Sequence, residues 1–357
     1  MNVLSEKDFL HTKEKTEQLF AKDGPVRTLV IDEISMTRVD ILHGIDQHLR
    51  RIRRLKHSPF GGLQVIVVGD FYQLSPVLTR NEESIFYEMY SSPFCFSDET
   101  WSSAQFEHIH LDQIMRQSDE RFISNLMKIR NKSDGWKDSI KFFNNICVPN
   151  KENVLDNDPV FLCSINRVAD TINQNNYDEL DEKEYKFIAH KQGRFSTYPS
   201  PYELNLKHGT KVILTANTND FLNGQTGYFI DKVGNRLEIL LEEDERTVMV
   251  EKFKWEEKEP CRSPNGVTYD VVGTYTQYPV CHGWARSIHK GQGMTIKNGI
   301  IHLGNGAFCH GQTYVALSRM KTLEGMAFFS PIKESDIIVS REINEFYEND
   351  CRGVGLF

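Results

Sequence analysis

Two short apolar segments, each followed by acidic residues, constrain the fold of this chain more than any other feature of its sequence. Residues 28–31 (TLVI) precede Asp32 and Glu33, and residues 63–68 (LQVIVV) precede Asp70. Between them, apolar side chains recur at three- and four-residue steps, as in an amphipathic helix. Short, continuously apolar segments of this kind are typical of buried parallel strands. The pattern therefore predicts a strand–helix–strand crossover in an α/β fold.

Carboxylates at the ends of these strands suit the hydrolysis of a nucleotide. Ligands of open parallel sheets bind beyond the carboxyl ends of the strands, so both acidic sites should face one cleft. Asp32 can hold Mg²⁺ through water, and Glu33 can orient and deprotonate an attacking water. Gln73 lies just beyond Asp70, where an amide can sense a terminal phosphate. The alternative reading is a capped strand end with solvated acids.

Two later segments carry further phosphate-binding features. Residues 286–296 (RSIHKGQGMTI) contain hydroxyls, His289 and glycines that let backbone N–H groups approach phosphates closely. Arg319 follows the apolar segment 314–318, a position that suits an arginine finger. Each segment alone is also consistent with an ordinary turn or the start of a packed helix.

The sequence pattern changes from alternating strands and helices to strands alone between about residues 206 and 278. Short β-rich segments occur there, and Gly234-Asn235 separates two of them as a hairpin turn would. We expect a small antiparallel barrel inserted into a second α/β lobe. The α/β texture returns at about residue 280 and continues to residue 343, and the remaining tail is expected to be poorly anchored.

Composition excludes several classes of protein. The 357 residues include no apolar stretch long enough for a bilayer span, and the first fifteen are too charged for a signal peptide. A net charge of -8 argues against nonspecific coating of nucleic acid by the whole surface but leaves room for a local basic groove. The seven cysteines are widely spaced and include no CxxC pair, so we expect reduced thiols in an intracellular protein.

Taken together, these segments resemble the motifs of the Pif/RecD-like superfamily 1B DNA helicases, over residues 24–343. The matching segments are VIDEISM (Walker B), GDFYQLSPV (motif III), IMRQSD (motif IV), SIHKGQGMT (motif V), YVALSRMKTLEGM (motif VI) and NGQTGYFI of the family's small insertion. The resemblance implies tandem RecA-like P-loop NTPase lobes, with a truncated first lobe and an SH3-like β-barrel in the second. The implied boundaries are 1–112 for the first lobe, 113–205 and 280–345 for the second, 206–279 for the barrel and 346–357 for the tail.

The resemblance also implies an ATP- and Mg²⁺-dependent motor that moves five-prime to three-prime on single-stranded DNA. Its implied catalytic residues are Asp32 (for Mg²⁺, via water), Glu33, Gln73, Arg116 and Arg319. Its implied nucleotide-binding residues are Asp70, Gln292 and Gly293. Its implied DNA-binding or coupling residues are Ser287, His289, Lys290, Thr295 and Asn223. Such a motor would work in the cytoplasm or nucleoid of a bacterium or phage, or in the nucleus or mitochondrion of a eukaryote.

One family element does not occur in this sequence. The family's phosphate-binding loop, GxxGxGKST, lies roughly a hundred residues before Walker B, and no GK[ST] tripeptide is present here. We expect the polypeptide alone to hydrolyse ATP very poorly, because that loop cradles the β and γ phosphates. Three alternatives follow: a helicase that works with a separately encoded or missing N-terminal P-loop segment, a silent module that binds single-stranded DNA or a replication protein, and a gene fragment without selected activity. The sequence does not choose among replication, recombination and repair.

Overall fold

The structure is a computed structural model that describes residues 14–349 except 79, 196–197 and 264–265. Its three large hydrophobic cores belong to a first α/β lobe, a second α/β lobe and a β-rich insertion in the second lobe. Within these ranges, no helix has the length and apolar character needed to cross a bilayer.

The first lobe is built on a short parallel sheet crossed by a helix. Its helices are α1 (Glu14–Phe20), α2 (Val39–Ile52), α3 (Arg80–Met89) and α4 (Glu99–Ala104). Strands β1 (Thr28–Ile31) and β2 (Gln64–Val67) pair in parallel, and the apolar stripe of α2, including Leu42 and Leu49, shares their core. The predicted crossover is therefore confirmed.

One face of this sheet is apolar and uncovered. Val30 lies opposite Ile66 on it and Val68 follows, with exposed fractions of 59%, 45% and 49%. Leu29 and Val65 point to the other face and pack in the lobe core, as the alternation of strand side chains requires. Among the described residues, β1 and β2 pair only with each other. The sheet thus has a second face and two strand edges available for contact.

The second lobe begins with helices that precede and follow one buried strand. These elements are α5 (Glu120–Asn131), α6 (Trp136–Cys147), α7 (Lys151–Leu155), β3 (Val160–Cys163) and α8 (Asn166–Asp178). Phe122, Leu126 and Ile129 form the predicted stripe of α5 and are buried. The Asp119 carboxylate accepts hydrogen bonds from the first backbone N–H groups of α5, which fixes where that helix begins.

The insertion consists of ten strands. They are β4 (Tyr185–Ile188), β5 (His190–Gly193), β6 (Glu203–Leu206), β7 (Lys211–Leu214), β8 (Thr226–Val233), β9 (Arg236–Leu241), β10 (Thr247–Val250), β11 (Phe253–Ser263), β12 (Gly266–Gln277) and β13 (Val280–His282). Five form an antiparallel sheet in the order β10-β9-β8-β7-β13. Gly234, in the predicted hairpin turn, has φ of 61°, which few other residues adopt easily. The long hairpin β11–β12 also contacts α1 of the first lobe.

The insertion extends beyond its predicted boundaries, residues 206 and 279. Phe187 of β4 and Leu204 of β6 belong to its core, and β13 pairs with β7, so it spans residues 185–282. The added strands have only three or four residues each, too few for an alternating pattern to reveal them.

The second lobe is completed by three further strands and one helix: β14 (Ala285–Ser287), β15 (Gly299–His302), α9 (Gln312–Arg319) and β16 (Met326–Phe328). Its sheet has the order β14-β3-β15-β16, and all its neighbours pair in parallel. The carboxyl ends of these four strands therefore lie along one edge of the sheet. The segments with the predicted binding and catalytic residues follow the strands at this edge.

The last described helix, α10 (Arg341–Asn349), returns to the first lobe. Phe346 is buried there, stacked on Phe96 at 4.4 Å and against the edges of Phe71 and Trp101. The predicted boundary at 345/346 and the loosely held tail are thus corrected for residues 346–349, because aromatic packing anchors them. Residues 350–357 lie outside the described residues.

Candidate functional site

The two acidic residues after β1 are held in an exposed turn. The Asp32 carboxylate accepts a hydrogen bond from the Glu33 N–H at 2.8 Å, and both side chains are exposed. Glu33 has φ of 49° and ψ of 48°, a left-handed conformation that is uncommon for a residue with a side chain. The next N–H, of Ile34, donates to the Val68 carbonyl at 3.0 Å and ties the turn to the end of β2. The turn thus presents both carboxylates to solvent.

Arg319, the last residue of α9, is a buried cation that forms no ion pair with an acidic side chain in the described part of the chain. Its side chain is 4% exposed and donates to the Val315 carbonyl and to Ser318 Oγ, at 3.3 and 2.8 Å. Burial, and after it the nearby charge of Arg116, lowers the pKa of Arg319 to about 10, while Glu33 acts in the opposite direction. Arg319 is therefore still protonated at neutral pH and lies within the electrostatic range of Glu33.

Arg116 meets Arg319 at the same helix end. Its Nη1 donates to the Ser318 carbonyl at 3.2 Å and its Nε to Thr295 Oγ1 at 3.1 Å, and burial lowers its pKa. No acidic side chain among the described residues forms an ion pair with Arg116 or Arg319. Two neighbouring cations without counter-ions attract an anion, because buried charge is costly until it is compensated.

Gln117 is a functional residue that sequence reasoning passed over. It is buried, and its Nε2 donates to the carbonyls of Ser318 and Met320 at 3.0 and 2.7 Å. These bonds satisfy carbonyls at the end of α9, where a helix leaves them unpaired. Gln117 therefore holds in place the helix end that carries Arg319. The available signal was its position beside Arg116 in the segment IMRQSD.

Contrary to the expectation from the sequence, Asp70 does not face an open nucleotide site. Both of its carboxylate oxygens bind the Arg130 guanidinium of α5, at 2.8 and 3.2 Å, and one also accepts from the Tyr72 N–H at 3.0 Å. The same guanidinium lies 4.3 Å from the centre of the Tyr72 ring. The structure thus gives Asp70 a bridging position between the two lobes.

Gln73 lies at the contact between the lobes. Its N–H donates to the Asp70 carbonyl at 2.9 Å, and its own carbonyl packs against Gly311, the residue before α9. A Cβ at Gly311 would come within 2.3 Å of the Gln73 oxygen, so only glycine permits this approach. A movement of the Gln73 backbone would therefore displace α9, the helix that ends in Arg319.

The end of β14 and the segment after it do not present all of their predicted residues to solvent. Ser287 is buried, with an Oγ enclosed and unpartnered among the described residues, and Gln292 Nε2 is buried in the same way. Thr295 accepts from Arg116, which suits coupling better than direct DNA contact. Residue type alone does not show that Ser287 and Gln292 Nε2 are buried whereas Thr295 is exposed.

Other predicted residues of this region are accessible. Lys290 and Gly293 are exposed, and His289 is half-buried, with a pKa lowered by burial. Asn223 is exposed on the insertion, and the neighbouring Gly224 lies against Met294. The insertion loop and the segment after β14 are thus neighbours.

A polar cleft of about 360 Å³ continues from this segment between α8 and the insertion. Its lining includes Asn173, Asn205, His282, Arg286 and Lys290. Among the described residues, no group of three or more His, Cys, Asp or Glu side chains could hold a metal ion.

A family model described as PIF1-like helicase matches residues 5–140. The ATP-dependent DNA helicase Pif1 of Campylobacter jejuni is 29% identical over 90% of this chain and 73% of its own length. The ATP-dependent DNA helicase PIF1 of Danio rerio is 31% identical over 84% of this chain, and the match spans only 45% of that relative.

Solved structures give the same result for the fold. Unliganded Pif1 from Bacteroides is 28% identical, with a TM-score of 0.85 over 99% of this chain and 82% of that chain. Pif1 from Bacteroides in complex with ADP-AlF3 and single-stranded DNA is 30% identical over the same shares, with a TM-score of 0.69. These matches confirm the predicted tandem RecA-like α/β lobes, and the chain belongs to the PIF1-like helicase family.

Proposed function

We propose that this chain is the hydrolytic and translocating part of an ATP-dependent DNA helicase that moves five-prime to three-prime on single-stranded DNA. The observation that carries the proposal is that Arg116 and Arg319, which form no ion pair with an acidic side chain of the described residues, meet at the end of α9, where the charge of Glu33 acts on Arg319. This arrangement joins a positive site of the second lobe to an acidic site of the first. A nucleotide phosphate between the lobes would satisfy both.

The residues fit a magnesium nucleotide. Arg116 and Arg319 offer fixed positive charge, while Asp32 and Glu33 offer exposed carboxylates. Mg²⁺ commonly keeps several waters and uses one or two carboxylates together with phosphates, a donor set that Asp32 can join. A bound magnesium nucleotide would supply the phosphoryl group and neutralise part of its charge.

The protein side chains would divide the remaining work. Glu33 would orient the attacking water and accept its proton, and the two arginines would stabilise charge as the bond to the leaving phosphate breaks. Gln73 would sense the terminal phosphate at the lobe contact. Thr295 would couple Arg116 to the DNA-binding segment, on which Lys290 and His289 face the solvent, with Asn223 nearby. Gln292 and Gly293 would help to shape the nucleotide side of that segment.

We further propose that a segment with a GxxGxGK[ST] loop, in a longer chain or separately encoded, packs on the first lobe. Two observations support it: the apolar sheet face of Val30, Ile66 and Val68, and a cavity of about 440 Å³ between the end of β2 and residues 106–110. An uncovered apolar face and an unpaired strand edge favour pairing with another α/β segment. Such a segment would bring the missing phosphate cradle to Asp32.

The function is tested by ATP turnover with Mg²⁺, with and without single-stranded DNA, beside a Glu33→Gln control. We expect the chain alone to bind DNA with little turnover. Addition of a segment that carries a strand, a GxxGxGKST loop and a helix should give DNA-stimulated turnover, which Glu33→Gln reduces at least a hundredfold, on the order expected for a catalytic base. Turnover that survives Glu33→Gln would contradict the proposed role, and absence of DNA binding would contradict the function. DNA binding without turnover under every condition would indicate the silent binding module.

The packing surface is tested by Val68→Asp, with Val233→Asp as the matched control. The two valines are 49% and 48% exposed, but Val233 lies on the insertion. A carboxylate at Val68 should prevent burial of the sheet face and lower turnover in the mixture at least tenfold, while Val233→Asp leaves it unchanged. Equal turnover in the two variants would show that the segment does not pack there.

A further inference from the structure

The loop between β15 and α9 holds a large aromatic side chain in solvent. Phe308 is 59% exposed, although the backbone around it is tightly fixed. The Ala307 N–H donates to Asp336 Oδ1 at 3.2 Å, and the Phe308 N–H donates to Gln312 Oε1 at 3.1 Å. Gln312 is itself buried and donates to the Ser164 carbonyl at 2.9 Å. The exposure of Phe308 is thus set by buried anchors rather than by a loose loop.

The surroundings of Phe308 combine a flat apolar surface with positive charge. The ring of His289 lies nearly parallel to it, at 15° and 6.4 Å between ring centres. Burial lowers the pKa of His289 below 6.5, so the imidazole is neutral at physiological pH. Lys290 follows His289 in the sequence, and its side chain is exposed. The two rings therefore present an aromatic face next in sequence to an exposed cation.

The position of Phe308 separates it from the nucleotide site. Phe308 precedes the first turn of α9, whereas Arg319 ends that helix. At 1.5 Å per residue, the seven steps from Gln312 to Arg319 span about 10 Å. The ring of Phe308 instead faces His289, in the segment after β14.

We propose that Phe308, supported by His289, is a stacking platform for one base of single-stranded DNA. The proposal rests on the proposed function and adds to it a contact with a base, next to the phosphate contact of Lys290. Every base has a π-face, so such a platform holds the strand without reading its sequence. Because the loop is already fixed, little ordering is needed when the base binds.

The test compares two oligonucleotides of equal length and phosphate number, oligothymidylate and an all-abasic strand, by fluorescence anisotropy with the full chain. We expect Phe308→Ala to weaken binding to oligothymidylate about tenfold or more and to change binding to the abasic strand less than twofold. Phe308→Trp should retain affinity. Phe329→Ala is the matched control, because Phe329 is also exposed and stacked on a histidine, His302, but follows the strand at the other edge of the sheet.

Salt dependence provides a second readout. Phe308→Ala should leave the slope of log affinity against log salt unchanged, whereas Lys290→Ala should reduce it by about 0.7, one phosphate contact. Equal loss on both strands, or no loss on oligothymidylate, would overturn the platform while leaving the function in place. Loss of binding to a fluorescent ATP analogue with normal DNA binding would overturn it as well. If the unmutated chain binds neither strand, the platform and the proposed function both fail.

Discussion

Among single residues, the arginines separate into two groups by their partners. Arg38 is buried but pairs with Asp40 and Glu82 at 2.6 and 2.9 Å, and Arg130 pairs with Asp70. Arg116 and Arg319 bind only carbonyl and hydroxyl oxygens. Because Arg116 and Arg319 are neighbours with no acidic partner among the described residues, they form a site prepared for an anion from outside.

His310 links the lobes in a way that depends on its protonation state. Its Nδ1 accepts from the Ser340 N–H at 3.0 Å, so Nε2 carries the proton and donates to the Phe71 carbonyl at 2.8 Å. A second proton on Nδ1 would break the first of these bonds. Burial accordingly lowers the pKa of His310 below 6.5, against smaller opposing contributions from Phe71 and Asp70.

We predict that His310→Gln reduces the loss of stability on the acid side. The unfolded chain takes up a proton as the pH falls through 6.5, whereas the folded chain does so only at lower pH. Neutral His310 therefore makes its full contribution to the free energy of unfolding above pH 6.5. This contribution is lost as the pH falls from 6.5 towards the pKa of His310 in the folded chain. Urea denaturation from pH 7.5 to about 5 should show a shallower decline in the variant, which cannot take up that proton.

His43 serves as the opposite control for this measurement. The Asp98 carboxylate raises the pKa of His43, so His43→Gln should steepen the decline on the acid side. Identical pH profiles for His310→Gln and the unmutated chain would rule out the linkage.

The candidate site was only partly predictable at this scale. The apolar segment placed Asp32 and Glu33 correctly just after β1, since apolar runs fix where a parallel strand stops. Spacing could not show that Asp70 is bound by Arg130, fifty or more residues away, or that Ser287 is turned inward. Those side-chain positions depend on tertiary contacts, which a local sequence pattern does not show.

Among the helices and strands, α10 is notable because it packs in the core of the first lobe although it follows the second lobe in the sequence. Phe346 and Ile343 are buried in the first lobe, Tyr347 stacks on Tyr72 at 4.8 Å, and Asn344 accepts from the Tyr72 hydroxyl at 2.9 Å. The helix thereby connects the end of the second lobe to the segment that contains Gln73.

We predict that Phe346→Ala destabilises the first lobe by about 3 kcal/mol or more, the usual cost of removing a buried phenylalanine ring. Hydrogen exchange of the α2 and β2 amides should accelerate, because these elements share the core with Phe346. Phe329→Ala, at a largely exposed ring, should leave that exchange unchanged. Unchanged exchange in Phe346→Ala would show that α10 adds nothing to this core.

The elements themselves were well predicted where they are long or strongly apolar. The strands β1 and β2 lie within a residue or so of the apolar segments that predicted them. The hairpin β11–β12 was missed, because it is polar and its strands pair mainly with each other. The basic residues at the end of α2 have structural partners: Arg50 binds Asp46 at 2.6 Å, and Arg53, just after the helix, binds the Gly61 carbonyl at 2.6 Å.

In the whole molecule, the two lobes and the insertion keep separate cores but share specific joints. Asp70–Arg130, His310 and α10 all join the region after β2 to the second lobe. The hairpin β11–β12 provides a further joint, from the insertion to α1. A movement of one lobe relative to the other must therefore change these few contacts, most of which lie close to Gln73.

The return of α10 to the first lobe also affects how the protein is made. The ribosome completes the rest of that core by about residue 106, but Phe346 emerges roughly 240 residues later. At 5–20 residues per second this delay is about 12–48 s. During it, the pocket around Phe71, Phe96 and Trp101 stays open to chaperones and to neighbouring nascent chains. Synthesis of α10, rather than of the first lobe's own segments, is thus the step after which that lobe can close.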